Sequence, residues 1–221
     1  MTLATGLNQV RAIIGTHPEA GSKGLFQTTE LTQWINFTQR FVVKGLIASG
    51  STAALGPLVK RQNHTIAASM SPAYFDKQDS AGRIVSISKD ITFSERIPIV
   101  GVAQFLDSTS VMSSADNVSF VACEMGERVQ VKPSPPSALT VVEIYVDNPT
   151  DMTDSTDVYT INDDLTDWVN ILSAWMACEA RGITERVASL KDLALTYSAM
   201  FRGQWGIDPP MPEALRVEVA K

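Results

Sequence analysis

The side chains that do most protein chemistry are scarce in this chain. Histidine occurs twice, at His17 and His64, and neither has a cysteine or carboxylate at metal-ligand spacing, so both read as surface histidines. Cys123 and Cys178 are too few and too far apart for a disulfide framework and read as buried thiols. Cys178 and His64 could be imagined as nucleophile and base, but Cys178 falls mid-helix beside Met176 and Ala177, where an inert core thiol is expected. Six carboxylates, Asp147, Asp151, Asp154, Asp157, Asp163 and Asp164, lack the Asp-x-Asp-x-Asp-Gly…Glu spacing of a calcium loop and read as solvated loop charges. Gly-x-Ser-x-Gly, the phosphate-binding Gly-x-x-x-x-Gly-Lys-Ser/Thr and the dinucleotide Gly-x-Gly-x-x-Gly are all missing. The residues therefore point away from an enzyme, and no metal or cofactor is expected.

The tryptophans lead from chemistry to architecture. Base stacking would interleave aromatics with Lys and Arg, and only Arg202 near Trp205 approaches that pattern. Trp34, Trp168, Trp175 and Trp205 instead fall on helical stripes, as do Tyr197 and Phe201, which marks all six as bundle core or subunit interface. In the stretch from Asp164, Leu165, Trp168, Val169, Leu172, Trp175 and Met176 share one face of a helix. Asp164 is the expected N-cap, and Arg181-Gly182 the cationic and left-handed stop. Thr184 is expected to cap a second helix with the stripe Val187, Leu190, Ala194, Tyr197, Phe201 and Trp205, antiparallel to the first.

Two helices precede this hairpin in the chain. Leu3, Leu7, Val10 and Ile14 predict one ending near Gly15. A second is expected from a cap at Thr28 or Thr29 to before Gly50, with the stripe Leu31, Trp34, Ile35, Phe41, Val42 and Leu46. Between about Leu58 and Val146 the period drops towards two. Strands are expected at 83–88, 91–93, 97–102, 118–123, 128–132 and 139–146, with a turn at Gly126-Glu127 and a break at Pro133-Ser-Pro-Pro136. Residues 104–117 read as a long exposed loop and 148–157 as a polar connector.

Segregated helices, strands and helices mean an α+β fold: a helical bundle from the N- and C-terminal helices, with an inserted antiparallel β domain. The expected divisions are 1–57, 58–150 and 151–206, followed by an extended arm at 207–221. Asp208-Pro-Pro-Met-Pro212 forbids helix there. The net charge of −6 and pI near 4.9 argue against a nucleic-acid surface spread over the protein. No apolar run reaches the ~18 residues that span a bilayer. The first ten residues lack the basic and apolar regions of a signal peptide, so synthesis in the cytosol is expected.

Longer patterns carry a resemblance. Arg128-Val-Gln-Val-Lys132, the proline break, Leu139-Thr-Val-Val-Glu-Ile-Tyr145, Asn148-Pro149, an acidic linker to Ile161-Asn-Asp-Asp164, a helix bearing Glu179-Ala-Arg181 and a further helix with Tyr197-Ser-Ala-Met-Phe201 together resemble the head–tail adaptor (connector) proteins of tailed bacteriophages, podophage type. Glu30-Leu-Thr-Gln-Trp34-Ile-Asn36 is similar to the first long helix of that family. The resemblance implies a virion protein of the head–tail junction, assembled in the host cytoplasm. It would form a homo-oligomeric ring, typically of twelve copies, that joins the portal to the tail or nozzle protein. Genomic DNA would pass through the lumen without sequence-specific contacts, and no membrane is involved. The portal-binding arm would be Ile207, Asp208, Pro209, Pro210, Met211, Pro212 and Leu215, and deleting 207–221 is expected to leave the fold intact. The alternatives are another neck or tail component, such as a tail terminator or minor capsid protein, and more remotely a hydrolase.

Overall fold

A computed structural model describes residues 1–15, 26–51, 53–78, 81–89, 95–107, 119–206 and 208–213. The chain has the expected α+β architecture and divides into two compact units: a helical one, Met1–Leu58 with Asn148–Lys221, and a β unit, Val59–Asp147.

In the helical unit, α1 (Leu3–Ile14), α2 (Thr28–Ala48), α4 (Asp163–Ala180) and α5 (Thr184–Trp205) form the bundle, and α4 packs against the other three. That position explains a departure from the single apolar stripe. Twelve of the eighteen α4 residues are buried, including Thr166, Asn170 and Ser173. Contacts fix the directions: Met1 and Gln9 meet Asp163 and Asn170, so α1 runs parallel to α4. Glu30 meets Arg181 and Thr38 meets Met176, so α2 runs antiparallel to it. Tyr197 and Gln204 return to Asp164, so α5 is antiparallel too.

The termini of these helices follow local rules, with three corrections. Thr2 caps α1 through its hydroxyl, and Gly15 ends it at φ 83°. After α4, Gly182 (φ 66°) donates to the Glu179 carbonyl and Ile183 to that of Cys178. This paired closure satisfies carbonyls the helix would otherwise orphan. The N-caps, however, are Gln27, Asn162 and Ile183, not Thr28 or Thr29, Asp164 and Thr184, and none makes a side-chain cap bond. The first turn of α4 carries Asp163 and Asp164 at its positive end instead. The connector after residue 148 is more than polar linkage. It buries Met152, Tyr159 and Ile161, and its carbonyls at Asp157 and Ser155 take the free N–H groups of Leu3 and Ala4 at 2.7 and 3.1 Å.

The β unit holds two antiparallel sheets. One has the order β1 (Val59–Ile66), β7 (Leu139–Asp147), β3 (Ala81–Ser88), β4 (Arg96–Ile97); the other has β2 (Ala73–Asp76), β6 (Arg128–Lys132), β5 (Val121–Met125). They share a core of Ile66, Phe75, Ile84, Ile87, Val129, Val131 and Val141 with their neighbours. Gly126 (φ 66°) turns β5 into β6, and the proline run separates β6 from β7, as expected. The strand expected at 97–102 shrinks to Arg96–Ile97 plus a bridge from Ile99 to Ala122, and Val102–Asp107 is helix α3, not exposed loop. Phe105 is the reason: its ring is buried, Lys132 Nζ lies 4.7 Å from the ring centroid, and the same ammonium donates to the Phe105 carbonyl. The strand expected at 118–123 begins at Val121. The strand expected at 91–93 and the remainder of the long loop, 108–117, lie outside the described residues.

Candidate functional site

Among the described residues, two places stand out as candidate sites. The first is in the β unit, where His64 of β1 and Glu143 of β7 lie on the same sheet face. His64 pairs in register with Val141, and Glu143 with Gln62. His64 Nε2 faces Glu143 Oε2 at 2.7 Å, with 14% of the histidine side chain exposed and none of the glutamate. The imidazole stacks on Phe75 of β2 at 4.4 Å, and Glu143 Oε1 has no hydrogen-bond partner among the described residues. His64 is thus a core histidine, and its reading as a surface residue is corrected. The ligand-spacing argument failed because β pairing brings together residues 79 apart in sequence. Both cysteines are buried thiols pushed up in pKa by desolvation, Cys123 in β5 and Cys178 in α4, so neither is poised to react. His17 lies outside the described residues.

The second place is the C-terminal arm and its seat on the bundle. Pro209 and Pro210 are buried, Met211 and Pro212 half-buried, and Asp208 is exposed and paired with Arg202 of α5. The Trp168 indole, buried in the middle of the unit, donates to the Pro210 carbonyl at 3.2 Å. Its ring stacks on Tyr197 at 5.6 Å and 12°. Gly45 of α2 lies against the Pro210 ring so closely that a Cβ there would collide with Pro210 Cβ and Cγ. Beside the arm a groove of about 610 Å³ is lined by Leu195, Ser198, Ala199 and Arg202 of α5 and by Asp208, Pro209 and Met211. The arm's first half is therefore a packed element. Deleting 207–221 would strip the acceptor from a buried indole N–H, so a loss of stability is expected to accompany the truncation. Ile207 and Leu215 lie outside the described residues.

The remaining aromatic positions divide. Phe201 and Trp175 are core, and the Trp175 Nε1 is buried without a partner among the described residues. Trp205 is half-buried against Phe201 at 6.2 Å. Tyr197 is half-buried and donates its hydroxyl to the Asp164 carbonyl at 2.6 Å. Burial first, then the Asp167 and Asp164 charges, push its pKa up to about 12. Trp34 is half-buried and meets Phe37, itself 47% exposed, edge-on at 6.1 Å, which makes it a surface aromatic pair instead of core. The connector carboxylates at Asp151, Asp154, Asp163 and Asp164 are exposed, as expected, and several also have structural partners. Asp151 pairs with Arg40, Asp163 with the Met1 ammonium, and Asp157 is held below the usual carboxylate range by the backbone N–H groups of Asp154 and Thr153. Among the described residues no cluster of three or more potential metal ligands occurs, and no helix is long and apolar enough to cross a membrane.

Sequence reasoning missed the polar residues that knit the bundle. The Asn36 amide brackets Met152, donating to its carbonyl at 2.8 Å and accepting from its N–H at 3.0 Å. Tyr159 donates to Asn170 at 2.6 Å, and Asn170 donates to Gln9 at 2.6 Å. Desolvation raises the Tyr159 pKa well above the ordinary tyrosine value. Large apolar side chains are exposed on both units, Leu193 and Met200 on α5 and Val102 and Leu106 on α3. No protein-family model and no curated protein matches the chain.

Proposed function

We propose that the protein is a head-to-tail adaptor of a tailed bacteriophage, a non-enzymatic virion component that forms a ring between the portal and the tail or nozzle protein and extends the DNA channel. The observation that carries this reading is the resemblance over residues 128–205 and 28–48, whose implied plan, terminal helices making one unit and an inserted β unit making the other, is the plan of this chain. A ring closed by head-to-tail contacts needs two unlike faces on each copy. The exposed apolar side chains on α5 and on α3 supply candidates for such faces. In this reading the portal contact belongs to the C-terminal segment beyond the packed prolines, and the channel carries DNA past an acidic protein without holding it.

The test is the mass of the purified chain, alone and with the portal of the same virus, by native mass spectrometry. Ring-sized assembly on the portal supports the adaptor. A monomer or dimer indifferent to the portal refutes it and leaves another neck or tail component as the reading to pursue.

A further inference from the structure

The seat of the C-terminal arm has the parts of a receptor for a proline-containing segment. Proline-rich ligands present a stiff extended backbone whose ordering cost is low. Their receptors combine aromatic walls with donors aimed at the ligand's carbonyls, which have no internal hydrogen bonds. Here the donor is Trp168 Nε1, buried and directed at the Pro210 carbonyl. The Trp168 ring that carries this donor is itself held by its stack on Tyr197. A notch for the proline ring exists because residue 45 is glycine, inside a helix where nothing about the backbone requires one. The adjoining groove on α5 leaves room beside the seated prolines. Ordinary core packing explains an apolar contact. It does not by itself explain a glycine notch and an indole donor converging on the same proline, in a segment that three prolines keep out of helix.

We propose that Gly45, Trp168 and the flank of α5 form a binding slot for an extended proline-containing segment, and that Pro209–Pro210 of the same chain occupies it as an exchangeable latch. The slot stands independently of the adaptor reading and is tested on the isolated chain.

The readout is hydrogen exchange of the Trp168 indole proton by NMR in the full-length protein. Gly45→Ala fills the notch and should speed exchange at least tenfold. Pro210→Gly added to Gly45→Ala removes the colliding ring atoms and should restore most of the protection. Gly203→Ala, where a Cβ meets nothing within 4 Å, is the control for an added helical methyl and should leave exchange unchanged. Pro210→Glu should vacate the slot. A synthetic peptide of residues 208–213, added at millimolar concentration to that variant, should then slow exchange again, whereas the peptide with its prolines replaced by alanine should not. Unchanged exchange in Gly45→Ala overturns the notch. Failure of the proline peptide to restore protection, or equal restoration by the alanine peptide, overturns the slot as a receptor. Failure of the wild-type chain to bind the portal would refute the adaptor reading and leave these results standing.

Discussion

Replacing His64 by alanine removes the one side-chain hydrogen-bonding partner found, among the described residues, for a carboxyl group that has no side-chain surface in contact with water. Removing one member of a buried hydrogen-bonded pair leaves the other desolvated and unsatisfied, at a cost of about 1–3 kcal/mol. Loss of the stack on Phe75 adds about 0.5–1.5 kcal/mol. The sum, about 1.5–4.5 kcal/mol, is a large fraction of the whole stability of a small domain, about 5–15 kcal/mol. At a urea slope of about 1–1.5 kcal/mol/M for a unit of this size, the midpoint should fall by about 2 M. The probe matters. All four tryptophans belong to the helical unit, so their fluorescence does not report on the β unit directly. Circular dichroism in the β region and hydrogen exchange of the β7 amides should be used. His64→Phe combined with Glu143→Leu removes both polar groups and keeps the ring, and should come within about 1 kcal/mol of wild type or exceed it. A midpoint shift below about 0.5 M for His64→Ala would show that the carboxylate finds water or another donor, and would refute the argument.

Three further outcomes follow from the helical unit. Gly6→Ala gains about 1 kcal/mol of helix propensity but drives a methyl into the Tyr159 hydroxyl and breaks its bond to Asn170. A net loss of about 1–2 kcal/mol is expected by fluorescence-detected denaturation. Asn36→Ala leaves the Met152 backbone N–H and carbonyl unpaired in a buried setting, for a loss of about 2–3 kcal/mol in the same assay. The pH dependence has two edges. Glu30 is held below the usual carboxylate range, chiefly by its hydrogen bond to Arg181, so its contribution is present above pH ~4.5 and is lost as pH falls through its folded value. The pair is partly exposed, so the loss should be below about 1 kcal/mol. Tyr197 is raised, so its contribution is complete below pH ~10 and is lost as pH climbs towards about 12. Tyr197→Phe should remove that alkaline component of a stability–pH profile.

Local physics made much of the helical unit legible. The span of α1, the glycine stops at Gly15 and Gly182, and the stripe of α5 all depend on neighbours within a turn or two, where 3.6-residue periodicity and left-handed glycine act directly. Strands β6 and β7 showed for the same kind of reason, being β-branched runs bounded by glycine and prolines. Strand β1 did not show. Its residues Lys60, Arg61, Gln62 and Asn63 are exposed and polar, so the strand exists because β7 offers it a ladder, not because its own sequence alternates.

The candidate site divided along the same line. That residues 208–212 leave the helical state could be read from three prolines, since ring closure fixes φ and removes the donor whatever surrounds them. That they lie in a glycine notch beneath the Trp168 indole could not, because the partners come from α2 and α4, at positions remote in the chain. Composition limited the chemistry by giving the chain two histidines and two cysteines. Only the pairing of β1 with β7 made one of those histidines the companion of a buried glutamate. Periodicity reports which face of an element is apolar. How many neighbours surround that element, and which buried polar atoms they satisfy, is decided when the elements pack.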